Sequence, residues 1–208
     1  MNLSSPITSV IPGAKGEVLG VLARTTEELT GSVVALLADG RVSQTGANKA
    51  LKKLVEGGLV LSRPAGAAIL YMLNRDHVAA ESIVALSELR SVLLLRITEL
   101  VSRWEYPPVA VSLFGSAARG RGTSGSDIDL LVLRPDELDP EHAAWAAQLM
   151  ELADAVWRWS GNPCEVLEYA AHELAALVVS GDALVDNLRR DAIGLVGAPP
   201  RELVGPER

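Results

Sequence analysis

Two aspartates interrupt an apolar run, "DIDLLVL" at residues 127–133, and this run constrains the fold more than any other feature. A buried carboxylate is costly unless it is paired or bound to a cation. Residues two apart on a strand point to the same face, which places Asp127 and Asp129 side by side with Cα atoms roughly 6–7 Å apart. The run therefore predicts a strand that presents two carboxylates to a cation.

The stretch before these aspartates, "LFGSAARGRGTSGS", predicts a cradle for phosphate. Gly115 allows a sharp turn after the apolar strand "VAVSLF" at 109–114, and Ser116 begins a short helix "SAARG" whose first N–H groups attract phosphate oxygens. Arg119, favoured over its neighbour Arg121, and Ser126 complete the candidate nucleotide contacts. Carboxylates beside such a cradle suit Mg²⁺, which takes a few carboxylates together with water and substrate phosphate.

The segment "FGSAARGRGTSGSDIDLLV" resembles the signature of the polymerase β-type nucleotidyltransferase superfamily, and its minimal nucleotidyltransferase branch most of all. The stretch "LRRDAIGLVG" at 188–197 is similar to the C-terminal helix end of that branch, so the resemblance covers residues 107–197. It implies transfer of a nucleoside monophosphate from an NTP to an acceptor, with two Mg²⁺ ions and release of pyrophosphate. It also implies that Asp127 and Asp129 bind the metals and the nucleotide.

The resemblance implies a third carboxylate on a neighbouring strand, which completes the metal site and helps to activate the acceptor. The matching position is Glu165 in "CEVLEY", where many relatives have Asp. Glu168 is the competing choice, and a regular strand turns it to the opposite face. The alternative interpretation of Asp127 is an ordinary turn or cap residue after Gly125 and Ser126, because a lone Asp-x-Asp is a weak signal.

The first 75 residues predict a winged helix-turn-helix domain. A helix at "AKGEVLGVLART" precedes two short helices around the turn "ADGR", and then the hairpin "LVLSRPAGAAILYML". Ser43 is a candidate N-cap of the second motif helix, whose Ala47, Leu51 and Leu54 face inward. This domain carries eight Lys or Arg against five Asp or Glu, whereas residues 76–208 carry eleven against twenty-one. The candidate nucleic-acid contacts are Ser43, Gln44, Thr45, Asn48, Lys49, Lys52, Lys53 and Arg63. The alternative interpretation of these residues is a solvated face on a protein-interaction domain.

Residues 76–105 predict a linker helix that Pro107 and Pro108 end. The second domain, residues 106–208, then alternates strands and helices and predicts an α/β (α+β) fold with a short mixed sheet and flanking helices. Helices are expected at 141–160 and from about 171 to 195, a strand at 164–169, and an irregular tail "GAPPRELVGPER".

These patterns leave two functions open. The first is an Mg²⁺-dependent nucleotidyltransferase whose winged helix binds DNA, RNA or the acceptor, which is a small molecule, an RNA end or a protein. The second is a DNA-binding transcriptional regulator whose inactive transferase domain senses a nucleotide. The N-terminus lacks the basic start and apolar core of a signal peptide, no apolar run is long enough to span a membrane, and Cys164 has no disulfide partner. A cytoplasmic protein is therefore expected.

Overall fold

The computed structural model describes residues 1–205 and divides after Arg90 into two units. The first unit contains residues 4–90 together with Asn2, and the second contains the remainder of the chain. Among the helices of residues 1–205, none combines the length and the apolar character needed to cross a bilayer.

The first unit consists of helices and short antiparallel strands. In chain order they are α1 (Ala14–Ala23), β1 (Leu29–Thr30), α2 (Gly31–Leu37), α3 (Gln44–Glu56), β2 (Val60–Ala65), β3 (Ala68–Leu73) and α4 (Ala80–Ser87), after a 3₁₀ turn at Pro6–Ser9. The strands form one sheet in the order β1-β3-β2, and β3 pairs antiparallel with both neighbours. The predicted hairpin and the two predicted helices around "ADGR" are confirmed.

Helix α3 begins as its sequence predicts. The Ser43 hydroxyl accepts a hydrogen bond from the Gly46 N–H at 3.1 Å, which satisfies one of the free donors of the first turn. Ala47, Leu51 and Leu54 are buried in the core of this unit, as their spacing predicts. The opposite side of α3 is exposed, so the helix offers one long polar face to the solvent.

The second unit contains a mixed sheet with helices on both faces. Its elements are α5 (Leu89–Val101, which begins two residues before the unit boundary), β4 (Ala110–Phe114), α6 (Gly115–Ala118), β5 (Ile128–Arg134), α7 (Ala143–Ser160), β6 (Cys164–Ala170), α8 (Ala171–Ser180), α9 (Ala183–Asp191), β7 (Ile193–Gly197) and α10 (Pro200–Val204). The strand order is β6-β5-β4-β7, with β5 and β6 parallel and the other pairs antiparallel. The predicted short mixed sheet with flanking helices is confirmed.

The two faces of this sheet pack into separate cores. Side chains at Val111, Leu113 and Leu130 meet apolar residues of α5 and α7. On the other face, Leu131 and Leu133 pack with apolar residues of α8, α9 and α10. Because neighbouring positions of a strand point to opposite faces, the even and odd residues of β5 enter different cores. Asp129 is on the face that α8, α9 and α10 cover.

The prediction of a single linker helix over residues 76–105 is wrong: the structure has two helices, α4 and α5, which meet at Glu88, begin at Ala80 and end at Val101. The buried Ser87 hydroxyl donates a hydrogen bond to the Val84 carbonyl oxygen at 2.7 Å. A serine that bonds to the preceding turn competes with the helical ladder, which gives a physical reason for the break.

Two further predictions for the end of the chain are wrong. Helical structure was expected to about residue 195, but α9 ends at Asp191 and the chain continues as β7, which pairs with β4. The tail was expected to be irregular, but Pro200 begins the short helix α10, where its fixed φ suits a first helical position. The last part of that predicted tail, residues 206–208, lies outside the described residues.

Candidate active site

The turn between β4 and α6 requires glycine at position 115. Gly115 has φ of +70°, and a Cβ built on it would lie 2.0 Å from Oδ2 of Asp129. The register of β4 and β5 explains this contact, because Phe114 is paired with Asp129. The helix was expected to begin at Ser116 but begins at Gly115 and spans only four residues. The Asp129 carboxylate therefore lies directly against the turn that was predicted to hold phosphate.

Asp129 and Glu165 are neighbours across the parallel pair β5 and β6. Residues paired in this way share one face of the sheet, so both carboxylates point to the same side. Asp127 comes immediately before β5 begins at Ile128, which is one residue later than the strand drawn from the sequence. Asp127 and Glu165 are exposed, whereas Asp129 is partly buried.

The three carboxylates interact electrostatically. Burial raises the pKa of Asp129 above its ordinary value, and the negative charges of Glu165 and Asp127 raise it further, while Arg119 opposes them. Partial burial and two neighbouring negative charges together disfavour ionisation of this carboxyl group. The site therefore has an excess of negative charge that a cation would neutralise.

Glu168 is on the other face of β6, opposite Val132 of β5. Its carboxylate accepts a hydrogen bond from Nε of Arg134, and these two side chains are 23% and 6% exposed. Arg134 also donates to the carbonyl oxygen of Leu138. Glu168 is thus held in a structural ion pair, and Glu165 alone of the two glutamates shares the face of Asp129.

Arg119 is held beside the site by a residue that the sequence analysis did not identify. Its guanidinium donates to Oδ2 of Asp191 at 2.9 Å, and Arg190 donates to the same oxygen at 2.9 Å. Burial raises the pKa of Asp191, but hydrogen bonds from the two arginines outweigh it and leave the pKa below its ordinary value. The stretch "LRRDAIGLVG" was noted for its resemblance, but nothing in the sequence indicated which residue Asp191 contacts.

Ser126 lies in the loop before Asp127, and its hydroxyl is already engaged. It accepts from the Thr123 N–H at 3.0 Å and lies 3.0 Å from the Thr123 hydroxyl. The amide of Asn162, which is fully buried, donates to the carbonyl oxygens of Thr123 and Ser126 at 3.1 and 2.9 Å. Asn162, which the sequence analysis also missed, therefore fixes the loop that leads to Asp127.

The donor set fits Mg²⁺ in its chemistry. Within residues 1–205, no three His, Cys, Asp or Glu side chains are arranged closely enough to hold a metal ion by themselves. Mg²⁺ is usually bound through one or two carboxylates plus substrate phosphates, with water at its other positions. Asp127, Asp129 and Glu165 are hard oxygen donors beside the Gly115 turn, and carboxylates of this kind match that mode of binding.

The predicted nucleic-acid residues of the first unit fall into different environments. Gln44, Thr45, Asn48 and the lysines of α3 are all exposed, and Gln44 and Asn48 also line a recess of about 290 Å³ beside β3. Both oxygens of Glu28 accept hydrogen bonds from Arg63, so the charge of this arginine is paired within the unit. Ser43 caps α3. The exposed positive charge of α3 is therefore carried by lysines alone.

Part of the second unit is similar to known proteins. Residues 96–171, which are 76 of the 208 residues, match a family model described as "Nucleotidyltransferase domain". No curated protein is significantly similar to the chain in sequence. Two similar solved structures are described as "Crystal structure of the toxin-antitoxin with AMP-PNP" and as that of a mutant of the toxin-antitoxin MntA-HpeT.

These structures are 21% and 18% identical to the chain, with TM-scores of 0.38 and 0.37, and each alignment covers 53% of this chain and 80% of the other. The family match runs from α5 to the first residue of α8. It includes the Gly115 turn and the carboxylates on and beside β5 and β6. The family model therefore matches the part of the second unit that carries the candidate site.

Proposed function

We propose that the chain transfers a nucleoside monophosphate from an Mg²⁺-bound NTP to an acceptor. The observation that carries this proposal is the pairing of Asp129 with Glu165 on one face of the sheet, against the turn at Gly115. The acceptor is a small molecule, an RNA end or a protein side chain. The family match supports the class of reaction, and the site geometry supports the roles given below.

Each residue of the site has a role in this reaction. Asp127 and Asp129 hold the metal-bound nucleotide, while the main chain at Gly115, the Ser116 hydroxyl and Arg119 orient its phosphates. Two bound Mg²⁺ ions would neutralise the charge on the attacking and leaving oxygens. Ser126 is included among the nucleotide contacts because it lies next to Asp127. Its hydroxyl also accepts a hydrogen bond from the Thr123 N–H.

Glu165 accepts the proton of the acceptor in this proposal, and it can also hold the acceptor-side metal. The acceptor oxygen forms a bond to the α-phosphorus, the bond from that phosphorus to the bridging oxygen breaks, and pyrophosphate leaves. The proton of the acceptor hydroxyl passes to the carboxylate. Glu165 is exposed, so an acceptor can approach it from the solvent.

Nucleotide binding tests this proposal directly. Calorimetry with MgATP and with the other three Mg-nucleotides should detect binding of at least one to the wild-type protein. Asp127→Asn/Asp129→Asn should lose that binding, because the metal ligands are removed. Asp154→Asn, which removes an exposed carboxylate from α7, is the matched control and should bind like the wild type. Equal binding by the double variant would refute the site.

We also propose that residues 1–75 form a winged helix-turn-helix domain that binds nucleic acid, joined through residues 76–105 to a transferase domain at 106–208. The order helix, strand, helix, helix and hairpin supports this proposal, as does a three-stranded antiparallel sheet with β3 in its centre. In such domains the second motif helix enters the major groove, and α3 has the exposed polar face that this requires.

The proposed winged helix is also compatible with a second function, that of a DNA-binding regulator whose transferase domain senses a nucleotide without catalysis. The observation that favours it is the exposed lysine face of α3 in a chain whose formal net charge is −7. Pyrophosphate release distinguishes the two functions. Incubation with each radiolabelled NTP, Mg²⁺ and a host lysate should label an acceptor if the chain is an enzyme, whereas a sensor labels nothing.

A further inference from the structure

All four lysines of the 208-residue chain line one cavity. The cavity, called here the lysine groove, has a volume of about 510 Å³ and lies between the start of α1 and one side of α3. Lys15 comes from α1, whereas the other three come from α3. The lining lysines are Lys15, Lys49, Lys52 and Lys53. Glu56 is the acidic residue that accompanies them there.

The four ammonium groups are exposed and have no ion-pair partner within residues 1–205. Several arginines of the same unit are used differently. Arg41 pairs with Glu17, Arg63 pairs with Glu28, and Arg75 donates to main-chain carbonyl oxygens. The unit therefore uses these arginines for its own structure and leaves its lysines with uncompensated charge on one surface.

The two sides of α3 differ in what they offer to a ligand. Gln44 and Asn48 face the recess beside β3, and Lys53 lies on the opposite side, toward α1. Lys49 and Lys53 are one helical turn apart, so their side chains lie next to each other. The small residues Gly46 and Ala50 also line the groove. This arrangement gives a concave, positively charged wall beside a helix with a polar outer face.

We propose that the lysine groove binds backbone phosphates of double-stranded DNA while the outer face of α3 enters the major groove. This inference rests on the winged helix-turn-helix proposed above and adds Lys15 of α1 to its contacts. Phosphate is the complementary charge, and the negative charge of the rest of the chain confines binding of a polyanion to this surface.

Duplex DNA is favoured over duplex RNA by geometry. The major groove of B-DNA admits an α-helix, whereas the major groove of A-form RNA is deep and too narrow for side chains to read. Lysine also suits this role, because its ammonium group contacts phosphate as a point charge from a flexible stem. Arg63 at the wing is engaged with Glu28, so the proposal assigns phosphate contact to the lysine groove.

The salt dependence of DNA binding tests the inference on the full chain. The probe is a fluorescein-labelled mixed-sequence DNA duplex, and anisotropy gives the affinity between about 50 and 200 mM salt. If four lysines contact phosphate, the slope of log K against log salt is about −3.6, since each contact contributes roughly 0.9. Lys15→Gln should flatten the slope by about 0.9, and Lys49→Gln/Lys52→Gln/Lys53→Gln by about 2.7.

Arg24→Gln is the matched control, because Arg24 is an exposed cation at the opposite end of α1. It removes the same charge as Lys15→Gln and should leave the slope unchanged. Equal slopes for Lys15→Gln and the wild type would overturn the assignment of the groove, and equal binding of an RNA duplex of the same sequence would overturn the choice of DNA as its ligand. If the wild type binds no DNA, the winged helix proposal fails as well. If Lys15→Gln flattens the salt slope but the wild type binds no Mg-nucleotide, the lysine groove is supported and only the transferase proposal is refuted.

Discussion

Glu165 and Glu168 lie three residues apart in sequence. Substitution of Glu165 should affect the reaction, whereas substitution of Glu168 should affect the stability of the fold. Glu165→Gln should reduce pyrophosphate release by about 10²–10⁴, the range expected when a general base is lost. Its effect on folding should be small, because the carboxylate is exposed and has no ion-pair partner in residues 1–205. Mg-nucleotide binding should persist, since Asp127 and Asp129 remain.

Glu168→Gln should leave transfer nearly unchanged but should destabilise the fold. The substitution removes the negative charge that balances Arg134, whose side chain is only 6% exposed. Glutamine can still accept a hydrogen bond, so the loss is that of a charge-assisted bond, about 1.5–3 kcal/mol in the free energy of unfolding. A loss of about 2 kcal/mol lowers the melting temperature of a unit of this size by roughly 8 °C.

The assay combines pyrophosphate release, with MgNTP and an identified acceptor, and thermal denaturation followed by circular dichroism. Each glutamate variant is the control for the other, because both remove one negative charge from β6. The reasoning fails if Glu165→Gln retains wild-type transfer. It also fails if Glu168→Gln is inactive at a temperature where it remains folded, which would move the third carboxylate by three residues.

Three further predictions concern the turn and the surroundings of the site. Asp191→Asn should weaken Mg-nucleotide binding several-fold in calorimetry, because Arg119, which follows α6, loses its ionic anchor; unchanged affinity would mean that this anchor is dispensable. Gly115→Ala should abolish nucleotide binding and destabilise the unit in urea denaturation, because a left-handed φ costs about 1–2 kcal/mol and the new methyl group overlaps Asp129. Hydrogen bonds from the side chain and main chain of His172 lower the pKa of Asp136 below 3.8. The stability from this contact is therefore fully present above the ordinary carboxyl pKa and is lost as the pH falls through the lowered pKa. Asp136→Asn should unfold at a lower urea concentration than the wild type near pH 6, and this difference should shrink steadily as the pH is lowered through the acidic range.

The local elements of this chain were predictable because their signals are local. The Ser43 cap, the buried face of α3 and the hairpin of β2 and β3 follow from caps, helical spacing and turn residues. Strand alternation also assigned Glu165 and Glu168 to opposite faces. The parallel register of β5 and β6 confirms that separation and pairs Glu165 with Asp129.

Features that depend on distant partners were not predictable. The segment "IGLVG" begins inside the region predicted as helical, and it is a strand because β4 lies beside it. Asp191 became part of the candidate site only when the fold brought α9 next to α6, 72 residues away in sequence from Arg119. The lysines of α3 were identified, but Lys15 was not, since only the packing of α1 against α3 brings it into the same cavity.

The confinement of every lysine to one groove also determines how the protein responds to amine chemistry. Reagents or enzymes that acylate lysine side chains have four targets in the whole chain, and all four line that groove. Acetylation removes the positive charge of each modified lysine without touching any carboxylate or arginine of the second unit. Lysine acetylation would therefore remove positive charge from the lysine groove alone. Coupling to a resin through lysine would immobilise the protein by that same surface.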